Sequence, residues 1–225
     1  MSVLEALRGG LIVSVQAEAA SELNTPETIA LLCRVAVANG AVAVRVEGLA
    51  RIAAARRAVP VPVIGLVKRT YADFAPYITP GERELAEVAA AGAALVAFDA
   101  TARTRPDGRS VSAVVAEIHR RGLLAVADCA TAEEVRAAPD AGADVLATTL
   151  CGYTEDTRST PLPAFDLVRA AAACGRFALC EGGIGSPEDV RRAFAAGADA
   201  AVVGTALTNV DAMVRRFAAA AARAG

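Results

Sequence analysis

The sequence is poor in several residue types on which common kinds of site depend. Its 225 residues include no tryptophan, one histidine (His119) and one lysine (Lys68), so nearly all of its 23 basic residues are arginine. A histidine-rich metal site is therefore not available. The five cysteines are odd in number and form no Cys-x-x-Cys pair. This argues against a disulfide framework or a zinc ribbon, and we expect a reducing, cytoplasmic location.

Charge and hydropathy exclude further classes. The formal net charge is −2, so no broad basic field exists to hold nucleic acid. The longest apolar run, 88–98, is shorter than a membrane span, and the run 11–15 is too short for a secretory leader. We therefore expect no nucleic-acid partner and no membrane segment. With 55% hydrophobic and 21% charged residues, the chain is also not disordered.

Short, continuous apolar runs alternate with segments of helical periodicity along the whole chain. Continuous apolar character is typical of parallel strands that are covered on both faces. The runs are Leu11–Gln16, Ala43–Val46, Val63–Lys68, Leu95–Asp99, Leu124–Asp128, Val145–Leu150, Phe177–Glu181 and Ala200–Gly204. Several intervening segments begin with a serine or threonine cap followed by acidic residues, as in Thr25-Pro26-Glu27.

A repeat indicates how these units are arranged. Asn-Gly-Ala or Ala-Gly-Ala ends a helix and precedes a strand at Gly40, Gly92, Gly142 and Gly197, at intervals of roughly 50 residues. Each interval fits two βα units. The pattern predicts an α/β fold, a single (β/α)8 TIM barrel over residues 1–225. An open doubly wound sheet is the alternative, but no Gly-x-Gly-x-x-Gly follows the first strand.

In such a barrel the active site forms at the carboxyl ends of the strands. The polar residues that close or follow the runs are Gln16, Arg45, Lys68, Arg69, Asp99, Asp128, Thr148, Thr149 and Glu181. The only lysine thus lies in the expected catalytic ring. Because a lysine amine can be deprotonated and an arginine cannot, we expect Lys68 to have a chemical role. His119 lies within a helix and is expected to be a surface or packing residue.

Glycine-rich turns follow the last two strands. They place Gly182 and Gly183 after the seventh run, and Gly204 and Thr205 at the end of the eighth. Backbone N–H groups at such turns can approach an anion, and these two loops form the usual phosphate site of the fold. We expect these four residues to bind phosphate.

Ordered motifs across most of the chain resemble the N-acetylmannosamine-6-phosphate 2-epimerase family of sialic-acid catabolism. They are Gly10–Ala17, Pro62–Arg69, Tyr77–Pro80, Phe98–Thr101, Arg105–Gly108, Thr148–Thr154, Thr160–Pro163 and Glu181–Ile184. The resemblance implies interconversion of N-acetylmannosamine 6-phosphate and N-acetylglucosamine 6-phosphate without a metal, with no cofactor, by a homodimer. It implies catalytic roles for the residues at the family's lysine and glutamate positions, and substrate contacts elsewhere. The catalytic pair is Lys68 and Glu181, and the expected substrate-binding residues are Gln16, Arg45, Asp128 and Tyr153.

The chain departs from the family at three places, the first being Val15 before Gln16, where the family often has cysteine. Val46-Glu47-Gly48 stands where the family tends to have Ala-Asn-Gly, and Thr208-Asn209-Val210 stands where it can have a basic phosphate ligand. We expect the backbone amides of Gly183 and Gly204, or an arginine elsewhere, to replace that ligand.

For this reaction Lys68 is expected to remove the C2 proton of the ring-opened sugar, kept neutral by desolvation and by Arg45 or Arg69. Glu181 would be the partner acid or base. Two other functions remain open: a sugar-phosphate aldolase in which Lys68 forms a Schiff base, and a non-catalytic phosphosugar-binding barrel. A ribulose-phosphate-type epimerase would normally need histidine metal ligands.

Overall fold

The computed structural model describes residues 2–222 and contains a closed barrel of eight parallel strands. Each strand pairs with its neighbours in chain order, and β8 closes on β1, which confirms the (β/α)8 prediction. The strands are β1 Leu11–Val15, β2 Ala41–Glu47, β3 Val63–Leu66, β4 Leu95–Asp99, β5 Leu124–Asp128, β6 Val145–Ala147, β7 Phe177–Glu181 and β8 Ala200–Val203.

Most of the helices lie between the strands where local sequence signals predict them. They are α1 Val3–Leu7, α2 Pro26–Ala38, α3 Leu49–Ala58, α4 Glu82–Ala90, α5 Val111–Arg120, α6 Ala132–Ala137, α7 Phe165–Ala173, α8 Pro187–Ala195, α9 Thr205–Thr208 and α10 Val210–Ala222, with a 3-10 turn at Glu155–Thr157. Thr25 and Ser186 accept a hydrogen bond from the first turn of α2 and α8. The repeated glycines lie just beyond helix ends with positive φ, as at Gly40 (100°) and Gly197 (98°).

Side chains of alternate strand residues fill the barrel interior, because successive side chains of a strand point to opposite faces. The inward set near the amino ends is apolar and comprises Ile12, Ala43, Ile64, Leu95, Val126, Val145, Phe177 and Ala200. Leu7 of α1 packs into the same cluster. The outward set packs against the surrounding helices and includes Val44, Val96 and Leu146. The polar residues that follow these inward positions along each strand therefore lie together at the carboxyl end of the barrel.

Two strands end at least two residues before the ends of the apolar runs that predicted them. β3 ends at Leu66 and β6 at Ala147, because the chain then leaves the ladder for other partners. Lys68 forms an antiparallel bridge with Ile78, and the flanking residues Val67 and Arg69 bond to Thr79 and Tyr77. Lys68 is thus held by a short ribbon rather than by the barrel sheet.

Three helices go beyond the sequence-based expectation: α1, α3 and α9. Neither α3 nor α9 has a side-chain cap, because the residue before each helix is a glycine: Gly48 before α3 and Gly204 before α9. Within residues 2–222, no helix has both the length and the apolar character that crossing a bilayer requires.

Candidate active site

A cavity of about 750 Å³ opens at the carboxyl end of the strands. Most residues expected from the sequence line it: Gln16, Arg45, Lys68, Tyr153, Glu181, Gly182, Gly183, Gly204 and Thr205. Asp128 does not line it and is 0% exposed. The structure therefore collects the predicted acid–base pair and the two glycine turns around one space, with Asp128 beneath it.

Arg45 is the centre of the cavity floor. Its Nη1 and Nη2 atoms donate to the two carboxylate oxygens of Asp128 at 3.1 and 2.7 Å, and Nη1 lies 2.8 Å from Glu181 Oε2. Burial works against the charged guanidinium, but the two carboxylates hold the pKa of Arg45 above its usual value. The charged guanidinium of Arg45 therefore holds the carboxyl group of Glu181 in place from one side.

Thr149 completes the network. Its hydroxyl lies 2.8 Å from Asp128 Oδ1 and 3.1 Å from Glu181 Oε2, so one hydroxyl serves two carboxylates. The carboxylate oxygens of Asp128 already accept hydrogen bonds from Arg45 and Thr149, so in this structure Asp128 positions Arg45. Its direct contact with substrate stays a prediction.

Glu181 is a carboxyl group whose environment favours the neutral form. Burial raises its pKa to about 7, since desolvation and the charge of Asp128 outweigh the opposing effects of Arg45, Thr149 and Lys68. A carboxyl group that titrates near neutral pH can both accept and donate a proton.

Lys68 has an accessible side chain that lines the cavity, while protein atoms surround its amine on several sides. Desolvation, followed by the charge of Arg45, lowers the pKa of its amine, against the opposing effects of Glu47, Glu181 and Asp128. Arg69 is not the cause, because it pairs with Glu84 and Glu87. Of the two arginines that the sequence offered for this role, Arg45 is the one that acts.

Gln16 and Tyr153 lie at other parts of the wall. Gln16 Nε2 donates to Ser14 Oγ at 2.7 Å, whereas its buried Oε1 has no partner among the described residues. This oxygen is oriented to accept a hydrogen bond. Tyr153 is 58% exposed and stands beside Gly182.

Glycine suits the two turns for different reasons, a positive φ at the first and a close approach of neighbouring atoms at the second. Gly182 and Gly183 have φ of 110° and 74°, and a Cβ at Gly183 would lie 2.4 Å from Leu162 Cβ. A Cβ at Gly204 would come within 3.2 Å of Ser14 Cβ. The N–H groups of Gly183, Gly204 and Thr205 donate no hydrogen bond within residues 2–222, so they can bind an anion.

Sequence reasoning missed some lining residues. Glu47, Arg51 and Tyr77 face the cavity, and burial followed by the charge of Asp128 raises the pKa of Tyr77. The inward alternation along β2, in which Arg45 and Glu47 are two residues apart, could have identified Glu47.

Some strand-end residues are not brought in. Asp99 is buried and bonds Thr101 and Arg103, which keeps it out of the cavity. His119 lies 2.8 Å from Asp144 on the outside, which confirms its expected surface role. Among residues 2–222, no three histidine, cysteine or acidic side chains are grouped as metal ligands.

Fold and site together define a (β/α)8 barrel whose cavity at the strand ends places an amine with a lowered pKa and a carboxyl group with a raised pKa beside two glycine turns. A sequence model of the NanE family, described as "Putative N-acetylmannosamine-6-phosphate epimerase", matches residues 29–223. The chain belongs to this family.

Relatives cover nearly the whole chain. Proteins from Synechococcus elongatus and Thermosynechococcus vestitus, both named "Putative N-acetylmannosamine-6-phosphate 2-epimerase", are 44% and 45% identical. These matches cover 95% and 98% of this chain, and 94% and 96% of the relatives. A solved structure of the N-acetylmannosamine-6-phosphate 2-epimerase from Clostridium perfringens superposes with a TM-score of 0.93 at 35% identity. That superposition covers 97% of this chain and 96% of the other.

Proposed function

We propose that the protein interconverts N-acetylmannosamine 6-phosphate and N-acetylglucosamine 6-phosphate by moving a proton at C2, in the catabolism of amino sugars derived from sialic acid. The observation that carries this proposal is the pair of Lys68 and Glu181 in one cavity, with the amine pKa lowered and the carboxyl pKa raised to about 7. Family membership selects this sugar phosphate among the substrates that such a pair could serve.

Lys68 is the base in this proposal. In the ring-opened sugar, C2 is adjacent to an aldehyde, so its proton becomes acidic. The neutral amine takes this proton and becomes an ammonium, and the electron pair moves to the aldehyde oxygen as an enolate. A lowered pKa keeps a larger share of Lys68 neutral at working pH.

Glu181 is the partner acid. In its neutral form it donates its proton to the face of C2 opposite Lys68 as the electron pair returns from the enolate oxygen, and Arg45 stabilises the carboxylate that remains. The Lys68 ammonium then releases its proton to solvent and Glu181 takes one up from solvent, which restores both groups. Gln16 Oε1, which lacks a partner, would accept from the acetamide N–H or a hydroxyl group of the sugar.

A direct assay tests the reaction. Purified protein is incubated with N-acetylmannosamine 6-phosphate, and N-acetylglucosamine 6-phosphate is followed by a coupled deacetylase reaction, with and without a chelator. We expect turnover in both conditions. The same reaction in D2O should place deuterium at C2 of the product, and product without deuterium would contradict solvent-exchanging proton transfer.

Two other outcomes would contradict the proposed epimerisation and indicate a different function. Covalent trapping of Lys68 by borohydride in the presence of substrate would indicate a Schiff-base aldolase, because only an imine leaves that adduct. Tight binding without turnover would indicate a phosphosugar-binding protein.

The location and assembly of the protein are also proposals. Five free cysteines and a phosphorylated substrate favour the cytoplasm. A homodimer is supported by α10, whose Val214 and Phe217 are 60% and 69% exposed. Light scattering coupled to gel filtration would give the mass, and a monomer at working concentration would contradict the dimer.

A further inference from the structure

The proposed substrate carries a phosphate group, yet the segment after β8 has no basic residue: Thr208, Asn209 and Val210 occupy it. The backbone N–H groups of the glycine turns supply hydrogen bonds but no full positive charge. A phosphate monoester binds more strongly where a guanidinium is added, because the guanidinium offers two parallel N–H donors to the phosphate oxygens.

Among residues 2–222, four cationic side chains line the cavity: Arg45, Arg51, Lys68 and Arg216. Arg45 is held by Asp128 and Glu181 on the floor. Arg51 donates from Nε to the carbonyl oxygen of Glu47 at 2.7 Å and pairs with its carboxylate. Lys68 is assigned to the proton transfer. Only one of these four side chains therefore remains available to bind the phosphate group of the substrate.

Arg216 is that residue. It lies on α10, one turn beyond Met213, which also lines the cavity. Within residues 2–222 it forms no hydrogen bond and no ion pair, whereas its neighbour Arg215 pairs with Glu18. The segment 204–209 leads directly into α10, and both Gly204 and Arg216 line the cavity.

We propose that Arg216 is the phosphate-binding cation of this chain. It acts with the N–H groups of Gly183 and Gly204, and it takes the place of the basic residue that the segment after β8 lacks. The inference rests on the proposed function, since it assigns one part of that substrate to one residue.

The test compares the steady-state kinetics of the wild type with those of Arg216→Gln, Arg216→Lys and Arg215→Gln. We expect Arg216→Gln to raise KM for N-acetylmannosamine 6-phosphate about 10-fold with kcat nearly unchanged, the size typical of one charged hydrogen bond. Lysine at position 216 should recover part of the loss. Arg215→Gln removes the same charge from the adjacent position and should leave KM within about twofold.

Inorganic phosphate separates this inference from the proposed function. Calorimetric titration of the resting protein should show phosphate binding about 10-fold weaker in Arg216→Gln than in the wild type. An active wild type whose KM and phosphate affinity are unchanged by Arg216→Gln would overturn the role of Arg216 and leave the function standing. A wild type that binds phosphate through Arg216 but does not epimerise the sugar would overturn the function alone.

Discussion

The two ends of the barrel interior are built from the same strands and the same alternation, yet they do opposite work. Near the amino ends, Leu95 and Val126 are fully buried in an apolar cluster. Two to four residues further along, the inward positions are Asp99 and Asp128, and β7 changes likewise from Leu179 to Glu181. One or two steps of the alternation thus separate an apolar, stabilising layer from a polar one.

The difference in energy between these ends is large. Burial of an aliphatic side chain contributes about 1.5–3 kcal/mol to folding. A buried ion pair such as Arg45–Asp128 carries a desolvation penalty that its Coulomb attraction barely offsets. The apolar end therefore stabilises the barrel, and the polar end contributes altered pKa values at little net gain in stability.

The largest expected effect is at the reactive end. Replacing Lys68 by methionine should lower kcat about 10²- to 10⁴-fold, because the base is lost. The free energy of unfolding, from urea titration, should hardly change since the side chain is accessible. Lys68→Arg is the matched control, because arginine keeps the positive charge but cannot be deprotonated. Near-normal turnover by this variant would contradict the role of Lys68 as the base.

The stabilising end should respond in the reverse way. Leu95→Ala should lower the free energy of unfolding by about 2–5 kcal/mol, through lost burial and the cavity left behind. The folded fraction should keep its kcat. A selective loss of kcat with unchanged urea stability would show that the two ends are not separable as described.

A finer prediction concerns Thr149, which connects the two carboxylates. Its hydroxyl lowers the pKa of Glu181, so Thr149→Val should raise that pKa above about 7. If neutral Glu181 is the acid, kcat/KM falls as pH rises through this pKa. The descending limb should then move to higher pH in Thr149→Val, while Thr148→Val, which alters backbone contacts of Glu181 instead, serves as comparison. A limb that stays in place would mean that Glu181 does not control it.

The smallest effect is expected outside both ends. His119→Gln removes the only histidine and its contact with Asp144, and should change the free energy of unfolding by no more than about 0.5 kcal/mol. Its pH profile for kcat/KM should match that of the wild type. A lost limb would place a histidine in the proton transfer and contradict the assignment to Lys68 and Glu181.

Strand alternation explains why much of the site could be predicted. Once eight apolar runs are recognised, the polar residue that ends each run must lie at one edge, as Glu181 and Gln16 do. Asp99 also ends a run, but Arg103, four residues later in a loop, binds it. Such loop contacts have no periodic signal, so the sequence could not separate Asp99 from the true cavity residues.

The barrel, the position of the glycine turns and the candidate lysine follow from local periodicity, helix caps and residue type, all of which can be read along the chain. The folded structure was needed to show that Asp128 lies under Arg45 instead of lining the cavity, that Arg69 is occupied elsewhere, and that Arg216 reaches the cavity wall. Each of these outcomes depends on which charged groups meet across strands or from a distant helix. That pairing is a property of the closed barrel and not of any segment within it.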